Sequence, residues 1–139
     1  MSKKHDLPGL AHKRDILFSK NSSQEKMRQT GRQFLEAGRY YDALEFIQRA
    51  GAADLARQVA QIAIGAGDTA LLMRAKKVLA EATSEQEWGR VAANAEKAGL
   101  YSAAWLAHSK AGHVEEAARV RQLMPGAPKV EPEQTAEGQ

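Results

Sequence analysis

Four histidines, His5, His12, His108 and His113, are the side chains of this sequence best suited to chemistry, and no cysteine accompanies them. Disulfides, thiolate zinc sites and cysteine nucleophiles are thereby excluded. His108 and His113 stand five residues apart across Gly112, whereas a helical metal site places its two histidines four apart on one face. Both are read as packed or surface histidines. Glu85, Glu87, Glu115 and Glu116 fall where first-turn carboxylates complement a helix dipole, and no cleft brings them together as an acid–base pair. Gly65-Ala66-Gly67 follows a helical pattern and lacks the Gly-Lys-Ser/Thr ending of a phosphate loop, so it reads as a turn. These residue types give no catalytic, metal or cofactor constellation. The expectation is a chain that is not an enzyme.

The elements that position these residues are helices. Ser22-Ser23-Gln24-Glu25 has the form of a capping box, with Ser22 as N-cap, and opens a helix expected to run to about Ala37 and stop at Gly38. A second helix, 40–50, carries Tyr40, Ala43, Leu44 and Ile47 on one stripe and closes at Gly51. A third, 53–64, is apolar over much of its circumference through Leu55, Ala56, Val59, Ala60, Ile62 and Ala63. Asp68 caps a fourth, 69–82, with Leu71, Leu72, Ala75, Val78 and Leu79 inward. Ser84 to Glu87 forms a second capping box, and its helix turns Trp88, Val91, Ala92 and Ala95 to one side until Gly99. Another follows at 101–111 with Tyr101, Ala104, Trp105 and Ala111. A last helix after Gly112 holds Val114, Ala117, Ala118, Val120 and Leu123, and stops at Pro125. Sustained period-two alternation and hairpin dipeptides are both missing, so strands are not expected.

Composition fits this reading. The chain has 139 residues, one domain's worth. Its hydrophobic share is 43% with only 6% aromatic, and alanine dominates, the best helix former and the smallest spacer between packed helices. The pI near 9.3 comes from one end. Residues 1–32 carry eight Lys/Arg against three Asp/Glu, residues 33–124 carry eleven of each, and the tail from Pro125 is acidic. Basicity confined to an arm, beside a neutral body, argues against a nucleic-acid partner, which favours a basic stripe on a folded face. No apolar run approaches the ~20 residues of a membrane span, and no apolar h-region follows Met1. A cytoplasmic location is expected. Residues 1–21 form a basic arm in which Leu10, Leu17 and Phe18 could line one side of a short helix; 22–124 form the helical domain; 125–139 read as a disordered tail.

Self-similarity organises the body. Ala37-Gly38 and Ala50-Gly51 recur as Ala98-Gly99 and Ala111-Gly112, both at an offset of 61 residues. At the same offset Tyr40 matches Tyr101, Ala43 matches Ala104, Ala56 matches Ala117 and Val59 matches Val120, while Leu44 gives way to Trp105. Ala66-Gly67 divides the interval into 29 and 32. Helix pairs recurring about every 30 residues are the signature of an α-solenoid, because such a hairpin buries its apolar stripe only by stacking on a neighbour.

Met27-x-x-Thr30-Gly31-x-x-Phe34 with Gly38, Tyr40, Ala43-x-x-x-Ile47 and Ala50, and Trp88-x-x-Val91-Ala92-x-x-Ala95 with Gly99, Tyr101, Ala104-x-x-x-His108 and Ala111, resemble the tetratricopeptide (TPR) repeat. The closing proline is missing and the period is shorter than the family's, so the chain is TPR-like. The resemblance implies an all-α superhelix of about three hairpins plus a C-terminal helix. It also implies that the first helix of each hairpin lines a concave groove for a peptide. By position that places Arg28, Arg32, Leu35 and Glu36 on the first groove helix, Asp54, Arg57, Gln61 and Ile64 on the second, and Gln86, Ala93, Glu96 and Lys97 on the third. Arg28, Arg32 and Arg57 would converge, and guanidinium forks suit an acidic segment or a free C-terminus.

Three functions follow as expectations. The first is a non-catalytic interaction module or adaptor binding a partner peptide or helix in that groove, the second a nucleic-acid-associated protein using the basic arm. The third is a self-associating subunit, a homo-oligomer joined through Ala117, Val120 and Leu123.

Overall fold

The structure, a computed structural model, describes residues 23–126; the basic arm 1–21, the cap residue Ser22 and the tail from Ala127 lie outside the described residues. Seven helices and no strand occur among the described residues: α1 (Gln24–Glu36), α2 (Tyr40–Ala50), α3 (Ala53–Ala66), α4 (Thr69–Leu79), α5 (Glu85–Lys97), α6 (Tyr101–Ala111) and α7 (Val114–Arg121). Consecutive helices pair as the hairpins α1/α2, α3/α4 and α5/α6, and α7 packs on α6. Hairpins then stack: α3 lies beside α5, α2 beside α4, and α4 beside α6. First helices thus make one layer and second helices another, the two-layer arrangement of a helical repeat superhelix.

Local signals place the helix ends. Ser84 Oγ accepts from the Glu87 backbone N–H at 3.1 Å while Glu87 Oε1 accepts from the Ser84 N–H at 2.9 Å, a complete capping box. Asp68 Oδ1 accepts from the Leu71 N–H at 3.1 Å. At α1 the cap is Ser23, whose Oγ accepts from the Lys26 N–H at 3.1 Å. That is one residue later than the Ser22–Glu25 pairing expected from sequence, and it moves the first turn by one position.

Helix α4 also departs from expectation, ending at Leu79 and not near residue 82. Ala80 takes the left-handed conformation, φ 55. Its N–H donates to the Lys77 carbonyl and the Glu81 N–H to the Lys76 carbonyl, each at 3.1 Å, as in a Schellman turn. The corresponding residues after α2 and α6 are Gly51 and Gly112, 29 residues before and 32 after. Ala80 is therefore the repeat's C-cap glycine replaced by a residue that pays for its Cβ there. Ala80→Gly is expected to raise stability by about 1 kcal/mol, the left-handed penalty removed less the greater freedom of the unfolded chain. An unchanged urea midpoint would count against this reading.

The main core runs through all three hairpins, from Phe34, Leu44, Phe46 and Ile47 through Leu55, Val59 and Ile64 to Leu71, Leu72, Val91 and Ala107. A smaller cluster of Ala95, Ala104 and Val120 joins α5, α6 and α7. Two expectations fail at this end. Trp105, expected at the position of the buried Leu44, is 37% exposed, and of the apolar residues expected on the last helix only Ala117 and Val120 are buried, Val114 being 77% and Leu123, beyond the end of α7, 49% exposed. Among the described residues α7 packs chiefly on α6, with Val120 and Arg119 reaching α5, and its buried residues are on that side. Ala117 and Val120 are spent within the chain and do not offer an edge for self-association.

The junction between the second and third hairpins is fixed by side chains that bond to backbone. Asn94 Nδ2 donates to the Ile64 carbonyl and Thr69 Oγ1 to the Ala103 carbonyl, each at 2.7 Å. Gly67, φ 71, lies against α5 so closely that an added Cβ would stand 2.5 Å from the Cα and N of Ala95.

Candidate functional site

Each first helix buries one stripe and turns the opposite stripe outward. In α1 the buried stripe is Met27, Thr30, Gly31, Phe34 and Leu35, in α3 Leu55 to Ile64, and in α5 Val91, Ala92 and Ala95. Helical spacing opposite these stripes gives Glu25, Gln29, Arg32 and Glu36 on α1, Asp54, Arg57 and Gln61 on α3, and Gln86, Arg90, Ala93 and Lys97 on α5. All eleven are exposed. Together they form a polar face along the layer of first helices.

The six residues expected to form the groove divide into three groups. Leu35 and Ile64 are not on this face: they are 9% and 1% exposed and belong to the core. Each lies at the edge of its buried stripe, and the helix packed alongside covers it. Arg28 and Arg57 are near the face but already bonded. Arg28 forks onto Asp54, with Nη1 and Nη2 at 2.8 and 2.7 Å from the two carboxylate oxygens, which ties α1 to α3. Arg57 Nη2 donates to Glu81 Oε2 at 2.7 Å. Arg32 and Gln61 are exposed on the face, and Arg32 has no ion pair among the described residues. Of the other assigned positions, Glu36, Asp54, Gln86, Ala93 and Lys97 lie outward as expected. Glu96 does not; it turns sideways to Arg119 and His108.

Arg90 was missed. It stands one turn beyond Gln86, and the 86, 90, 93, 97 spacing opposite the Val91–Ala95 stripe could have found it. Arg32, Arg90 and Lys97 are exposed cations of this face with no ion pair among the described residues.

Electrostatics around the face follow from the pairing. The hydrogen bond from Arg28 holds the Asp54 carboxyl at about 2, well below the ordinary carboxylate range, and the same bond raises Arg28. Beside Arg57 and Gln61 lies a polar cleft of about 190 Å³ whose far wall includes Lys76, Glu81 and Glu87. Lys76 Nζ sits 2.9 Å from Glu87 and 3.7 Å from Glu81. Burial alone would raise the Glu87 carboxyl, but the Ser84 N–H and the Lys76 ammonium outweigh it and hold it below its usual value.

The histidines occupy a different place. His108 is 8% exposed, directs Nε2 to Glu96 at 3.1 Å, and leaves Nδ1 buried without a hydrogen-bond partner among the described residues. Its position corresponds to the fully buried Ile47 one 61-residue interval earlier, so the site is a packing position holding a polar ring. His113 pairs with Glu85 at 3.2 Å, and the two imidazoles lie 5.8 Å apart. Burial would raise the Glu96 carboxyl, but hydrogen bonds from His108 and Arg119 prevail and lower it. No group of three or more potential ligands able to hold a metal occurs among the described residues. Nor is any helix among them long and apolar enough to cross a membrane.

No protein-family model, curated protein or solved structure matches this chain.

Proposed function

We propose that the protein is a non-catalytic interaction module that binds an acidic peptide segment of a partner protein across the face of its first helices. The observation that carries this reading is the set Arg32, Arg90 and Lys97: exposed cations on parallel helices of one layer, without ion pairs among the described residues. Cations left unspent on a rigid surface bind a carboxylate without first breaking a bond, and two of the three groups are guanidinium forks suited to bidentate pairing. Arg28 and Arg57, by contrast, are held by Asp54 and Glu81. They shape the face and are not its first contacts. The resemblance to the TPR repeat supports the same assignment, since the family uses its first helices for peptides.

A fluorescein-labelled peptide of alternating Glu and Leu with a free carboxyl end serves as probe. Reversing Arg32, Arg90 and Lys97 to Glu is expected to weaken binding, read by fluorescence anisotropy, about 100-fold or more, three charge-assisted contacts each contributing on the order of 1 kcal/mol or above. The same reversal of the remote exposed Lys77 and Arg49 should change it little. Equal weakening by both sets, or none by either, would remove the assignment of this face.

A further inference from the structure

The repeat is uneven at one link. After α2 and after α6 the chain passes to the next helix in two residues, 51–52 and 112–113, whereas after α4 it takes five, 80–84. The three additional residues are Glu81, Ala82 and Thr83, and they match the step from 29 to 32 residues between Gly51, Ala80 and Gly112. Stacking does not require them, since α2 passes to α3 without such residues.

Glu81 turns back over the preceding hairpin. Its N–H donates to the Lys76 carbonyl in the turn after α4. Its carboxylate accepts from Arg57 Nη2 of α3 at 2.7 Å and stands 3.7 Å from Lys76 Nζ of α4. With both cations it lines the polar cleft of about 190 Å³ beside Gln61. The second carboxylate of that cleft serves the fold: Glu87 accepts from the Ser84 N–H at 2.9 Å, capping α5, and holds Lys76 at 2.9 Å. The Glu81 carboxylate makes no such cap; its partners among the described residues are the two cations. The Arg57–Glu81 pair is 58% and 40% exposed, and ion pairs so open to water contribute little net stability. Lys76 is only 12% exposed and keeps Glu87 when Glu81 leaves.

Two cations from two helices meeting at one carboxylate make a seat for a carboxylate, and the guanidinium fork of Arg57 suits it. Arg57 belongs to the middle helix of the polar face: α3 is tied to α1 through Arg28 and Asp54 and packs beside α5. We propose that Arg57 and Lys76 form a carboxylate subsite of this face, that Glu81 is its resident occupant, and that an acidic side chain of the bound segment replaces Glu81 there. The subsite rests on the reading of the face as a seat for an acidic peptide, and it adds a competitor supplied by the chain itself. A segment already held at Arg32 and Arg90 competes with Glu81 at a raised local concentration, an advantage that a lone carboxylate lacks.

The test uses the full chain with Glu81→Gln. Binding of the labelled Glu and Leu peptide is expected to tighten about three-fold, the effect of releasing one exposed ion pair, and the gain should vanish when Arg57→Gln is added. Sodium glutarate reads the subsite without the peptide. In side-chain nitrogen–proton NMR spectra the Arg57 Nε–H signal should move at about three-fold lower glutarate in Glu81→Gln than in the parent chain, while the Arg32 and Arg90 signals move alike in both. Silence of Arg32 and Arg90 would remove the reading of the face and leave the Arg57 comparison standing. An Arg57 signal that moves at equal glutarate in both proteins, or stays still in Glu81→Gln, would overturn the proposal. So would a tightening that survives Arg57→Gln. Loss of helicity in Glu81→Gln by circular dichroism would overturn it too, because Glu81 would then be a clasp of the fold.

Discussion

Gly67→Ala is expected to cost about 3–4 kcal/mol, a large part of the 5–15 kcal/mol that holds a domain of ordinary stability. Two penalties add. A Cβ in the left-handed region costs roughly 1–2 kcal/mol, and here it would also stand 2.5 Å from the backbone N and Cα of Ala95 and 2.9 Å from the carbonyl carbon of Asn94. Backbone atoms have no rotamer by which to withdraw, so α5 must move, and overpacking of this kind costs about 1–3 kcal/mol. Movement of α5 is itself opposed by the Asn94–Ile64 bond at 2.7 Å. Gly99→Ala is the matched comparison: φ is 75 and nothing lies within 4 Å of the added carbon, leaving only the left-handed penalty. In urea unfolding the Gly67 variant should lose two- to three-fold more stability than the Gly99 variant at an unchanged m-value. Equal losses would show that the close approach of the hairpins carries no energy.

These two glycines mark how far the sequence could be read. Both were legible as turns, because a glycine after an apolar stripe ends a helix, and their recurrence announced stacked hairpins. That one of them touches the next hairpin was not legible, because the distance between hairpins depends on side chains 28 residues on. The candidate face shows the same boundary. Helical spacing placed Arg32, Gln61 and Lys97 outward correctly, since a helix's own period decides which side a residue takes. It could not reveal that Arg28 meets Asp54 or that Arg57 meets Glu81, pairs 26 and 24 residues apart that exist only once hairpins stack. Leu35 and Ile64 failed for a related reason: a residue at the margin of an apolar stripe is groove or core according to how a neighbouring helix leans. Trp105 failed because no further hairpin packs against its side of α6 among the described residues.

Phe34→Ala is the second large expected effect, about 3–5 kcal/mol, the usual cost of emptying a buried aromatic site. Phe34 is 1% exposed, stacks on Phe46 with ring centroids 5.4 Å apart, and carries the Arg39 guanidinium 5.1 Å from its centroid. Trp105→Ala removes a larger ring yet should cost only about 1–2 kcal/mol, since much of that ring is already in water. The contrast follows from the repeat. At the 61-residue offset Phe34 corresponds to Ala95 and Phe46 to Ala107, both fully buried. The first hairpin thus holds two stacked rings where the third has two alanines, one in each of the two core clusters. An alanine at position 34 would recreate half of that arrangement against the intact ring of Phe46, so α1 could not follow it inward and a cavity would remain. Phe34→Ala combined with Phe46→Ala would let the helices close, and the pair should cost less than the sum of the two single losses. Strict additivity in thermal or urea unfolding would mean that ring size does not set the spacing of the first hairpin.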